Sequence, residues 1–437
     1  MPRSIPPVRT PRTLRAAAVA ALAITAAGAA AACGDTVDRL LTVQTPSRLA
    51  DSVFLVPGNA RPITNSAQVD FECAYNSYVT ASGLASGELA DGSQTAARWS
   101  YDRREVLPGD ALYSTASCVG LGVYTPIGTA RFTNDQALAR LEGWTDAEVA
   151  NRAALRLNAA VYAGYSYILL AEGFCSAAVN ESAELTTENL LDSAEARFTR
   201  AIALAQEVTS ARRDTLLNAA YVGRARARIG SGDRTGAAED AARVPLAFVF
   251  NATTGAAPDR RVNRVYQQNY AARAVTVAPA YRGLTVQGLP DPRVRVVDSI
   301  RTTGNLQRLF VQTKYTGLAS PIPIASGVEA QLILAEARGG AEGVAILNAL
   351  RARPGVALPP LTAAEAADFQ NTLFEERRRE LFLQGTRWYD LRRGNLPLVP
   401  AVGTPYPVGI AQSLGGSYGD QRCWPLPDVE RAANPNI

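Results

Sequence analysis

Of the chain's 437 residues 47% are apolar, Lys and Arg number 44 against 40 Asp and Glu, and histidine is absent. This length and apolar content allow one large or two ordinary domains with a real core and argue against disorder. Four of the basic residues (Arg3, Arg9, Arg12 and Arg15) precede Cys33 and no acid does, so the remainder balances at 40 against 40, without the basic excess of a nucleic-acid binder. Lack of histidine removes Ser-His-Asp triads, HExxH proteases and most zinc sites, leaving base chemistry to carboxylates, Tyr, Arg and the single lysine, Lys314.

Residues 1–32 read as an export leader, with arginines ahead of an alanine-dominated run from Ala16 to Ala32. The run is short and weakly apolar beside the roughly 20 strongly apolar residues of a spanning helix. Its Ala-Ala-Cys-Gly end resembles a bacterial lipobox, which predicts lipid attachment at Cys33 and a tether over 33–61. The alternative is an ordinary secretory signal cleaved among these alanines.

Ser66–Ala81 has helical spacing, and the stretch from there to Pro126 reads as loop with short helices, rich in Gly, Ser and aromatics. Four helical patterns follow, over Asp146–Phe174, Glu184–Val208, Arg213–Ile229 and Gly236–Val244, the last two separated by a Gly232-Asp233 turn. Leu157-Asn158-Ala159-Ala160 reappears as Leu217-Asn218-Ala219-Ala220. Helix pairs with small residues at their crossings are similar to tetratricopeptide repeats, so 146–245 is expected to be a helical-repeat scaffold. The part from 246 to 437 is loop-rich, with a strand at Leu309–Val311 and a helix pair over Val328–Arg338 and Gly343–Arg353.

Phe374–Gly394 reads as one helix: Phe374, Leu381 and Trp388 recur every seven residues beside Leu373, Phe382 and Tyr389. Glu375 and Arg379 are four apart, as ion pairs on a helix require, and Glu376 and Glu380 share a face crowded by arginines. The two acids are therefore assigned to an ion-pair network rather than to a glycosidase pair, and Trp388 to the core. Gly415-Gly416-Ser417-Tyr418-Gly419 fits a nucleophile elbow in letters only, because no histidine exists to take the serine proton.

The order Glu376-Arg377-Arg378-x-Glu380-Leu381, Gly385-x-Arg387-Trp388, Asp390-Leu391-Arg392-Arg393 resembles the signature of the SusD/RagB family. Asp291-Pro292-Arg293, Lys314-Tyr315, Glu329, Ala335-Glu336-Ala337, Leu347–Arg351 and the closing Pro425-Leu426-Pro427…Glu430…Asn434-Pro435 resemble further family segments in the same order. The resemblance implies a mostly α fold for 62–437, a tetratricopeptide-like scaffold with long irregular loops. It also implies a non-catalytic, cofactor-free outer-membrane lipoprotein facing the cell surface, one that captures a nutrient, most often a glycan, for a SusC-like TonB-dependent transporter. The competing readings are an exported helical-repeat scaffold for protein partners and a carboxylate-based glycoside hydrolase; peptide capture is also open.

Aromatics on loops, flanked by polar groups, suit the C–H faces and hydroxyls of sugars. Trp99 and Tyr101, among Arg98, Asp102 and Arg103, and Tyr281, between Pro279 and Arg282, are the ligand-binding candidates. Besides Cys33, the four cysteines Cys73, Cys118, Cys175 and Cys423 suggest two disulfides in an exported protein, with three pairings open; nearest neighbours would join Cys73 to Cys118 and Cys175 to Cys423. No C-x-x-C pair supports a metal site.

Overall fold

Small residues decide how the helices of the first half meet. The computed structural model describes residues 55–437 except 94, 258–259 and 408–414, so the leader, Cys33 and most of the tether lie outside the described residues. Helix α1 (Ala60–Ala85) begins earlier than its sequence pattern suggests, because Ala60 packs into a cluster with Leu141, Val149 and Leu155; from Phe71 to Ala85 it is buried on all sides. The short α2 (Ala96–Arg103) follows, and then α3 (Tyr124–Gly143), a helix that sequence reasoning left within loop and linker. Its buried face includes Arg131 and Asn134, which blur the apolar stripe, and the Asn134 amide donates to the Ala67 carbonyl of α1 at 2.9 Å.

The repeat stack continues through α4 (Arg152–Gly173), α5 (Thr187–Leu204), α6 (Arg213–Ser231) and α7 (Arg234–Ala241), each packed on the next. Local chemistry sets the boundaries. Thr186 and Asn189 form a capping box before α5, Gly232 (φ 92°) ends α6, and the Asp233 carboxylate accepts the Gly236 N–H to start α7. At the centre Phe198 of α5 wedges between Gly164 of α4 and Gly223 of α6. A Cβ built on Gly164 would lie 2.7 Å from the ring, and one on Gly223 only 2.2 Å.

The chain then leaves the stack, pairs Val249–Ala252 with Ile322–Ser326, and re-enters as α8 (Gly327–Arg338) and α9 (Gly340–Ala352), with α8 lying against α7. Between those two paired strands runs a long excursion of loops and two-stranded ladders, in which Val296–Thr302 pairs with Arg308–Gln312 and Val275–Val277 pairs with Leu89–Asp91 from the segment after α1. These short ladders leave the fold mostly helical, as expected.

The expected single helix over 374–394 is instead two. α10 (Phe369–Glu380) ends, residues 381–386 turn with Leu383 at φ 55° and Gly385 at φ 83°, and α11 (Arg387–Arg393) follows. The turn persists against the helical pattern because other parts of the chain take its backbone groups. Lys314 Nζ donates to the Phe382 carbonyl (2.6 Å), Tyr315 to that of Leu383 (2.8 Å) and Tyr75 to that of Gln384 (3.0 Å), while Glu88 accepts the Leu383 N–H (2.8 Å). A buried cluster of Leu332, Ala335, Leu347, Leu350, Leu373 and Leu381 joins α8 and α9 to α10. Disulfides join Cys73 to Cys118 and Cys175 to Cys423.

Candidate functional site

Most arginines of the signature region and its surroundings are structural, held by defined partners. Arg293 reaches Asp291 (2.8 Å), Glu376 and Glu380 (3.2 Å); Arg351 reaches Glu376 (2.7 Å), and Arg353 closes on Glu380. Glu376 and Glu380 are thus held by cations, in the ion-pair network that the sequence indicates. Burial alone would raise the Asp291 carboxyl, but Arg293 and Arg379 outweigh it and bring it down to about 2. Asp390 receives Arg377 (2.9 Å) and Arg393 (2.8 Å), and Arg393 continues to Glu336 of α8 (2.9 Å). Arg392 donates to the carbonyls of Ala171 and Phe174, and the buried Trp388 indole to that of Gly173, so α11 satisfies the end of α4. The same end is stapled by Cys175–Cys423 and by backbone bonds from Cys175 and to Gly173 at Trp424. This region locks the loops onto the stack and leaves its own acids no freedom to act on a ligand.

The loops so positioned form a surface from three segments. Turn 264–271 starts with Asn263 capping the Tyr266 N–H, and on it Tyr266 and Tyr270 stack with ring centroids 5.0 Å apart at 20°. Tyr270 is 43% exposed and carries the Arg301 guanidinium 4.8 Å from its ring centre. Helix α2 is tied to this turn by Arg98 donating to Gln268 (2.9 Å), and the hairpin 296–312 is tied to both by Asn305 N–H to Gly92 and Gly304 N–H to Arg273. Gly92 allows this approach: a Cβ there would lie 2.5 Å from Thr303.

Beside this surface is a cavity of about 130 Å³, lined by Asp91, Asp102, Thr276, Arg282, Arg308 and Tyr418 among others. It is smaller than the roughly 300–1,000 Å³ of ligand-enclosing pockets, so it cannot hold an oligomer alone. Burial pushes the Asp102 carboxyl up to about 8, although it accepts the Asp91 N–H at 2.9 Å. A more open groove of about 380 Å³ along α3 includes Phe132 and Arg131, the latter engaged by Asn180 at 2.7 Å.

The sequence-based candidates divide. Trp99 is half-buried at this loop surface with the Arg103 guanidinium 4.3 Å from its ring centre. Tyr101 and Tyr281 are corrected to core residues. Tyr101 is fully buried, edge-on to Trp424, with its hydroxyl donating to the Leu121 carbonyl; Tyr281 is 2% exposed and stacks on Phe382. Polar neighbours in sequence did not keep either ring in solvent: Tyr101 is buried together with its neighbour Asp102, and Tyr281 is buried beside the half-buried Arg282. Tyr266 and Tyr270 escaped sequence reasoning; their four-residue spacing in a Gln/Asn-rich stretch was the available signal. Cys33 lies outside the described residues.

Residues 328–414 match the family model described as the SusD family. The matched segment carries the signature, and the fold is SusD-like. Among solved structures it is similar to a SusD-like carbohydrate-binding protein from Bacteroides vulgatus (16% identity, TM-score 0.63, covering 87% of this chain and 97% of that one). It is similar as well to surface glycan-binding protein A from Bacteroides thetaiotaomicron in complex with laminarihexaose (15%, TM-score 0.64, 87% and 98%). A laminarin-binding SusD-like protein also matches (15%, TM-score 0.58, 86% and 99%). No curated protein matches the sequence. At these identities the likeness to the solved structures extends to the fold, and the ligand surface of this chain has to be read from its own residues.

Proposed function

We propose that this chain is a glycan-binding lipoprotein of the outer membrane, facing the cell surface, that delivers its ligand to a TonB-dependent transporter. The observation that carries the glycan reading is the stacked pair of half-buried Tyr266 and exposed Tyr270 on a loop surface to which α2, with its half-buried Trp99, is tied, backed by a rigid helical scaffold. Sugar C–H faces pack on such rings, and the surrounding Arg, Gln and Thr groups suit hydroxyls. Glycan-binding proteins among the structures of the same fold support it further. Support for the anchor is the cysteine after the alanine run, and support for the transporter is the family resemblance.

Affinity electrophoresis against a panel of soluble polysaccharides tests the binding. Y266A/Y270A and W99A are expected to lose roughly tenfold or more in affinity with unchanged thermal midpoints. Full-strength binding by both variants would move the ligand off this surface. Isolation of the tagged protein from detergent-solubilised membranes is expected to bring a stoichiometric TonB-dependent transporter. A stable complex of other proteins and no transporter would favour the scaffold reading.

A further inference from the structure

Charge is not spread evenly over this chain. The residues after Cys33 balance in sign, yet the loop surface gathers arginines that exceed its available acids. Arg273 and Arg301 are exposed, and among the described residues neither makes an ion pair. Arg98 is held by Gln268 at 2.9 Å and Ser93 at 3.0 Å and is favoured by the Asp91 carboxylate nearby. Two further arginines are neutralised locally, Arg103 by Glu105 and Arg308 by Asp298 (2.7 Å).

The two remaining acids leave Arg273 and Arg301 uncompensated. The Asp91 carboxylate is fully buried and is used by the Ser93 N–H (2.9 Å) and hydroxyl (2.8 Å). Asp102 is 2% exposed and, raised by burial, holds its proton through most of the neutral range. A surface whose free cations are all guanidinium groups, beside an aromatic platform, has two recognition elements at once. The rings take apolar sugar faces; the guanidinium forks take planar or tetrahedral oxyanions through paired N–H donors. Arg301 belongs to both, since it lies over the Tyr270 ring.

The geometry points to an anionic glycan as the ligand, its sugar rings on Tyr266 and Tyr270 and its carboxylates or sulfate esters on Arg301 and Arg273. This rests on the glycan-binding reading above and narrows it to an acidic class. An acidic chain meets two arginines, Arg273 and Arg301, without first displacing a protein carboxylate, a charge attraction that a neutral glucan lacks.

The test is affinity electrophoresis and calorimetry of the whole mature protein with polygalacturonate, chondroitin sulfate and laminarin, at about 50 and about 300 mM NaCl. Expected is binding of at least one acidic polymer, at least roughly tenfold tighter than laminarin at low salt and weakening as salt rises. A preference for polygalacturonate assigns carboxylates and one for chondroitin sulfate assigns sulfates; either supports the inference. R273A/R301A is expected to lose roughly tenfold or more toward the acidic polymer at low salt, and most of its salt dependence, with an unchanged thermal midpoint. Laminarin bound as tightly as the acidic polymers, with no salt dependence, overturns the inference and leaves glycan binding intact. Acidic binding unchanged in R273A/R301A also overturns it, and retention of no polysaccharide in a broad panel overturns the glycan reading itself.

Discussion

In the repeat stack Phe198 is held by two glycines; in the signature region Glu376 is held by two arginines, Arg293 and Arg351. Both sites are buried, and they specify structure by opposite means. The stack relies on shape: missing side chains at Gly164 and Gly223 let three helices close around one ring. The signature region relies on charge. Its acids and guanidinium groups come from distant parts of the chain, and each is tolerable inside the protein only while the others are in place. Shape errors there can relax by small shifts, whereas a missing charge leaves its partner stranded in low dielectric.

The largest expected effect is therefore on the charged side. Arg293→Ala strands Asp291, Glu376 and Glu380 and is expected to cost about 3–5 kcal/mol in urea unfolding. A loss below about 1 kcal/mol would mean that Arg351 and Arg353 suffice to compensate those acids. Next is the link between the two regions. C175S/C423S opens the bridge from the end of α4 to the C-terminal segment and is expected to cost about 2–4 kcal/mol. Unfolding in two separated steps, stack and signature region apart, is the outcome that would show the bridge to be what couples them.

On the shape side, Gly223→Ala gains helix propensity but drives a methyl into the Phe198 ring, for a net loss of about 1–3 kcal/mol. Adding Phe198→Leu should recover part of that loss by freeing the space. Non-additivity of the pair in a double-mutant cycle checks this, and simple additivity would place the strain elsewhere.

The smallest effect is a pH slope. Asp102, raised to about 8 by burial, keeps its proton in the fold while the unfolded chain loses it near about pH 4. Over that window the unfolded state binds fewer protons, so stability falls as pH rises and levels off above about 8. Asp102→Asn removes this contribution and should flatten the urea midpoint between about pH 5 and 8, leaving the slope due to Glu88, which burial raises to about 7. An unchanged slope would mean that Asp102 is ionised in the folded protein.

Local pattern determined the helices whose chemistry is local. Alanine-rich spacing, the Gly232-Asp233 turn and the α8–α9 pair were legible because helix propensity, caps and glycine conformations depend on neighbours within a turn or two. The residue order of the signature was equally plain, and so was the ion-pair role of Glu376 and Glu380. Only the tertiary structure decided where that order bends. The helical sequence at 381–386 unwinds because Lys314, Tyr315, Tyr75 and Glu88, all remote in the chain, satisfy its backbone. The same holds for the ligand surface. Whether Tyr101 or Tyr281 faces solvent depends on what packs against each ring, and Trp424 and Phe382 lie where no local period can predict them.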